Sequence, residues 1–116
     1  MNESLDLAVC SARAADDKQG SDTIIFDVGD LLSITGYFVI TSASNKRLVR
    51  AIADHIEERI KEDLDRAPLR VEGHREQQWV LIDYGDVIVH VFAQETRDFY
   101  EIERLYKDAA RMEWRN

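Results

Sequence analysis

The chain has 116 residues, 45% of them hydrophobic, with one proline, which suits one buried core and a single domain over residues 1–116. A net charge of −8 works against a general affinity for nucleic acid, because binding along phosphates relies on Lys and Arg releasing counterions. Cys10 is the only cysteine, so an internal disulfide and a thiolate metal cage are excluded.

No run approaches the roughly 20 apolar residues of a membrane span. The opening residues carry Asp6, Asp16 and Asp17 instead of a basic start followed by an apolar stretch. A cytoplasmic protein is expected.

In chain order, Ser4 is placed to cap a first helix with Leu5, Ala8, Val9 and Ala12 on a narrow face of mostly small side chains, stopping between Asp17 and Ser21. Thr23 to Val28 and Tyr37 to Thr41 are β-branched and aromatic without polar alternation, as in strands covered on two faces. The link between them is too short for a crossover helix, which predicts an antiparallel or irregular connection. Ser44 is placed to cap a long helix whose stripe is Leu48, Ile52, Ile56, Ile60 and Leu64, ending near Asp65 or Arg66 ahead of Pro68. A short strand over Leu69 to Glu72 follows, then strands Trp79 to Tyr84 and Val87 to Ala93, then a final helix from Thr96 with Phe99, Ile102, Tyr106 and Ala109 on one face. This order predicts an α/β fold, a mixed sheet with helices packed on it.

Gly85-Asp86 suits a two-residue hairpin turn of the II′ type, which pairs Tyr84 with Val87. Counting outward places Val80, Ile82, Val89 and Val91 on one wholly apolar face. The other face pairs Trp79 with Phe92, Leu81 with His90, and Asp83 with Ile88. Such a mixture suits a partly covered surface, and tryptophan is enriched where interfaces carry their binding energy. The competing reading is that the final helix seals this face, leaving Trp79 in the core and His90 as a satisfied core histidine.

Catalytic, cofactor-binding and metal-binding residues are not expected. His55, His74 and His90 show no ligand spacing, and the five glycines are scattered. Asp63 and Asp65 sit at a helix end, where carboxylates are usually solvated. Asp83 and Asp86 flank a turn, where aspartates usually bond local backbone. Lys46, Arg47 and Arg50 occupy the first turns of the long helix, against the macrodipole's preference for acids there.

Four segments together are distinctive: Ile34 to Ile40; Glu72-Gly73; Trp79 to Phe92, through Asp83-Tyr84-Gly85-Asp86 and Val89-His90-Val91; and Arg97 to Glu103. They resemble the ribosomal silencing factor family, also called the Iojap or RsfS family, over about Leu5 to Ala109. Three positions depart from that family's usual pattern: Gly36 in place of an aspartate, Ala43 in place of a glycine, and Tyr106 in place of a tryptophan.

The resemblance implies a nucleotidyltransferase-like fold without catalytic residues. It also implies a translational repressor that binds the fourteenth protein of the large ribosomal subunit, on the intersubunit face, and sterically blocks joining of the small subunit. The family docks through the sheet and the adjoining C-terminal segment, including the tryptophan that matches Trp79. The partner-binding set expected here is Trp79, Leu81, Asp83, His90, Phe92, Tyr100 and Tyr106. A homodimer of the free protein is a further implication, with bacterial cytoplasm as its setting. Two other readings are a residual nucleotide-binding or nucleotidyl-transferring enzyme on the same scaffold, and a secondary contact with ribosomal RNA through Lys46, Arg47 and Arg50.

Overall fold

The computed structural model describes residues 2–115. Helix α1 spans Glu3–Asp17, strands β1 and β2 span Ser21–Asp27 and Tyr37–Ala43, and helix α2 spans Lys46–Leu64. Strands β3, β4 and β5 follow at Arg70–Glu72, Trp79–Asp83 and Val87–Ala93, then helix α3 at Gln94–Tyr100 and strand β6 at Ala110–Met112. The sheet runs in the order β3-β4-β5-β2-β1-β6. Only β2 and β5 pair in parallel, joined by the long connection that contains α2; β1 and β2 pair antiparallel, as their short link requires.

Both long helices lie on one face of the sheet. The α2 stripe buries Val49, Ile52, Ala53, Ile56 and Ile60, and each large aliphatic side chain so enclosed stabilises the fold by about 1.5–3 kcal/mol. They meet Val80, Ile82, Val87, Val89 and Val91 of the hairpin and Leu7, Ala8, Ala12 and Ala15 of α1 in one continuous core. The α1 face is wider than its sequence pattern. Leu7, Ser11 and Ala15 are buried beside Ala8 and Ala12, while Leu5 and Val9 pack at the edge, because α1 touches both α2 and the sheet.

Neither helix is capped by the serine expected. Asn2 accepts the Leu5 N–H at 3.0 Å and Asn45 accepts the Leu48 N–H at 2.9 Å. Each is an asparagine with extended backbone, a side chain as competent at this position as serine. Ser4 instead donates to Asp86 Oδ2 at 2.6 Å. The α2 terminus falls where Pro68 placed it. Asp65 turns left-handed (φ 54°) and its N–H returns to the Lys61 carbonyl.

The final helix departs from expectation. It ends at Tyr100, because Glu101 adopts a left-handed conformation (φ 46°) and its N–H closes on the Arg97 carbonyl. A 3₁₀ turn over Ile102–Tyr106 follows, and the chain then adds β6 antiparallel to β1. Phe99 and Ile102 therefore do not share a face: Ile102 is buried and Phe99 is exposed. Trp114 closes this edge by donating from Nε1 to the Thr23 carbonyl at 3.0 Å, with its ring buried in the main core.

Candidate docking surface

The Gly85-Asp86 turn sets the geometry of the hairpin. Gly85 has φ 90° and Asp86 does not share the positive φ, as a II′ turn requires. The Tyr84 N–H bonds the Val87 carbonyl at 2.9 Å. The register is Trp79 with Phe92, Leu81 with His90 and Asp83 with Ile88, so the face opposite the helices carries the mixed residues.

Asp86 ties this turn to the rest of the molecule. Its carboxylate takes two bonds from Arg66, at 2.8 and 3.1 Å, as well as the Ser4 hydroxyl. The Arg66 guanidinium holds the Asp86 carboxyl below the usual carboxylate range.

On the face away from the helices, a second and smaller cluster gathers Phe26, Val28, Phe38, Ile40, Phe92 and Ile102, with Trp79, Ile88 and Tyr106 partly buried at its margin. The short C-terminal segment and Leu32 of the β1–β2 loop pack on it. The aromatic rings run as a continuous series. Trp79 lies 4.7 Å from Phe92 and 5.2 Å from Tyr100 between centroids. Phe38 meets His90 edge-on at 4.7 Å and Tyr106 edge-on at 5.1 Å. Such tilted and edge-to-face geometries are favourable beyond the area they bury.

Of the residues singled out from the sequence, Trp79, Leu81 and Tyr106 are half-buried, Tyr100 is exposed, and His90 and Phe92 are enclosed beneath them. Trp79 and Leu81 also line a shallow cleft of about 320 Å³ with Glu72 and Gly73. Gly73 is held at φ 78°, and a Cβ there would lie 2.0 Å from the Trp79 carbonyl oxygen. Asp83 stands apart from the aromatic series: it accepts the Gly85 N–H at 2.8 Å and pairs with Arg70 at 3.3 Å, the local bonding usual for a turn aspartate.

Three features lay outside the expected set. Phe99 is 77% exposed and packs edge-on against Tyr100, itself 55% exposed, so the two leave an uncovered apolar margin beside Trp79; Leu105, in the 3₁₀ turn, is 76% exposed. A helix continued past Tyr100 would have hidden that margin from a periodicity argument. Ile34 is likewise exposed, in the loop between β1 and β2. Arg97, which belongs to the segment carrying the resemblance, is buried. It binds Glu103 at 2.8 Å, the Ser21 and Asp22 carbonyls at 3.1 and 2.8 Å, and the Ser42 hydroxyl at 2.9 Å, fastening the C-terminal segment to β1 and β2.

The buried imidazole of His90 is the one strongly perturbed titratable group on this face. Burial lowers its pKa to about 4, so the ring is neutral at pH 7. Among the described residues no three His, Cys, Asp or Glu side chains are grouped to hold a metal ion. Asp63 and Asp65 are engaged by Arg59 and Lys61 on the solvated surface of α2. Cys10 is partly buried, and burial raises its thiol pKa. Among the described residues no helix is long and apolar enough to cross a membrane.

Fold and face together define a mixed-sheet α/β protein that leaves one aromatic sheet face half covered, an arrangement suited to docking. The family described as "ribosomal silencing factor during starvation" matches residues 1–116, and the chain belongs to it. The ribosomal silencing factor RsfS of Bacillus subtilis (strain 168) is 36% identical over 109 residues, covering 94% of this chain and 91% of that protein. A mouse protein named "mitochondrial assembly of ribosomal large subunit protein 1" is 29% identical over 87 residues, 73% of this chain and 38% of its own length. The crystal structure of a Chromobacterium violaceum protein superposes with a TM-score of 0.87 at 32% identity, covering 91% of this chain and 88% of that one.

Proposed function

We propose that this protein is a non-enzymatic translational repressor of the cytoplasm. It binds the large ribosomal subunit through that subunit's fourteenth protein, on the intersubunit face, and sterically prevents the small subunit from joining. Relatives named for ribosomal silencing support the ribosome-associated part of this reading, and a relative named for the large subunit supports the choice of subunit.

The observation that carries the docking half is the exposed pair Phe99 and Tyr100, whose rings continue the series from the half-buried Trp79 on the sheet face that the long helices leave free. An aromatic anchor beside a shallow cleft, with buried rings beneath to hold it, is the arrangement in which few residues supply most of the binding energy. A domain of this size presents a standard interface of about 800 Å². Occlusion needs only bulk, and a body of 35 × 32 × 28 Å supplies it. No bond is made or broken.

The test is sedimentation with purified large subunits, followed by addition of small subunits. The protein should co-sediment with large subunits and hold back formation of the joined particle. Trp79→Ala should weaken binding by about 2 kcal/mol or more, roughly thirtyfold, while leaving the fold intact. Unchanged affinity in a folded Trp79→Ala protein would overturn the docking face. Joined particles forming in the presence of saturating bound protein would overturn occlusion.

A further inference from the structure

The indole of Trp79 is held by a hydrogen bond as well as by packing. Its Nε1–H donates to Nδ1 of His90, 3.1 Å away across the β4-β5 ladder. The two residues are not directly paired in the register: His90 lies opposite Leu81, and Trp79 opposite Phe92. The bond therefore runs diagonally across the face, and draws the indole over the rings of His90 and Phe92.

An indole nitrogen only donates, so Nδ1 must accept, and the neutral ring carries its proton on Nε2. That Nε2 is buried without a hydrogen-bond partner. The tautomer is thus imposed by Trp79, even though it leaves a buried donor unpaired. The opposite tautomer would set two N–H groups against each other.

We propose that His90 is a positioning residue for the docking surface: by accepting the indole N–H it fixes Trp79 in the orientation presented to the partner. The role rests on the docking reading above and extends it to a residue that is itself enclosed and touches no partner. Leucine fills a similar volume without an acceptor and would leave the indole free to turn. Asparagine places an amide oxygen near the Nδ1 position and would keep the bond.

Charge agrees with this geometry. The aromatic rings packed around the imidazole are Phe38, Trp79 and Phe92, from β2, β4 and β5, and its direct partners in the sheet are the apolar Ile40 and Leu81. Tyr106, beyond Phe38, and Tyr100, beyond Trp79, complete the surround from the C-terminal segment. None carries a charge at neutral pH. Nothing nearby stabilises an imidazolium, and burial alone depresses the pKa to about 4. Protonation would add a donor on Nδ1 and break the bond, so the latch stays closed throughout the neutral and mildly acidic range.

The test uses the full chain, ¹⁵N-labelled at its two tryptophans, Trp79 and Trp114, with the Trp79 indole resonance assigned by its loss in Trp79→Phe. In the wild type it should lie downfield and begin to move as pH is lowered toward 4; in folded His90→Leu it should lie upfield and not titrate. Binding is then read by co-sedimentation with purified large subunits. His90→Leu should lose affinity about fivefold to tenfold, His90→Asn should recover most of that loss, and His90→Leu with Trp79→Phe should bind no more weakly than the poorer single variant.

An unshifted indole resonance in His90→Leu would overturn the proposal. So would wild-type binding by folded His90→Leu when Trp79→Ala is impaired, and that pattern would leave the docking face standing. Failure of the wild type to co-sediment would overturn the docking reading, and the His90 role with it.

Discussion

At the scale of single residues, His90 and Asp86, two of the perturbed groups on the hairpin, act in separate pH windows. The His90 pKa in the folded protein is about 4, against about 6.5 in an unfolded chain. The unfolded state therefore binds more protons between these values, and stability falls as pH is lowered through that interval. Asp86 is the reverse chemical case with a similar outcome at lower pH. Its folded pKa is depressed by Arg66, so its contribution is complete above the ordinary carboxylate value of about 4 and is lost as pH falls below it. Both partners of that pair are about a third exposed, so solvent screening keeps the contribution modest. Urea denaturation at pH 7 and pH 5 should show a drop in stability that is reduced in His90→Asn and unchanged in Asp86→Asn. Of the residues that make the face, Trp79, Leu81, His90 and Phe92 were legible because a two-residue turn fixes every pairing above it. The burial of His90 stood as the competing reading of a core histidine and is what the structure shows, while the mixed face alone did not say how much of it a neighbouring segment covers.

At the scale of elements, the last twenty residues are where sequence and structure part. Apolar residues continue at helical spacing through Ile102, Tyr106 and Ala109, with no glycine or proline after Tyr100 to mark a stop. The stop is a glutamate in the left-handed region, which local propensity disfavours and tertiary packing imposes. Strand β6 is equally silent. Ala-Arg-Met has no β-branched residue, and it becomes a strand by pairing with the open edge of β1. The tryptophans consequently divide their labour. Trp114 is buried beneath α1 and β1, so Trp114→Ala should lower stability by about 3 kcal/mol, read by chemical denaturation. Molecules still folded should keep their affinity for large subunits. Trp79→Ala should show the opposite pattern, with affinity lost and stability little changed.

At the scale of the whole molecule, the asymmetry of the two sheet faces is what a docking module needs. One face is sealed by two long helices around a core rich in valine and isoleucine, and it keeps the sheet rigid. The other is closed by Leu32 and a few residues of the C-terminal segment, the latter fastened through Arg97, and its margin stays open. The α/β class and the division of the hairpin into an apolar and a mixed face could be read from alternation, turn chemistry and the α2 stripe. The placement of the C-terminal segment could not, because it depends on the buried Arg97 bonds to Ser21, Asp22 and Ser42, which are remote in sequence. The occlusion proposed above requires no nucleotide. Titration calorimetry with magnesium nucleotides should register no binding heat at protein concentrations where large-subunit binding is saturated.

Gly73 carries a consequence at a distance from the aromatic rings. With hydrogen in place of a methyl group, the loop before β4 lies flush against the main-chain oxygen of Trp79. Gly73→Ala would bring a carbon into that oxygen and demand a left-handed backbone from a residue that resists it, so the first residue of the strand must move and carry its indole with it. A glycine that contributes no side chain to any contact thereby sets the height at which the anchor stands above the sheet. Its replacement should weaken ribosome capture, measured by co-sedimentation, with every aromatic ring still present.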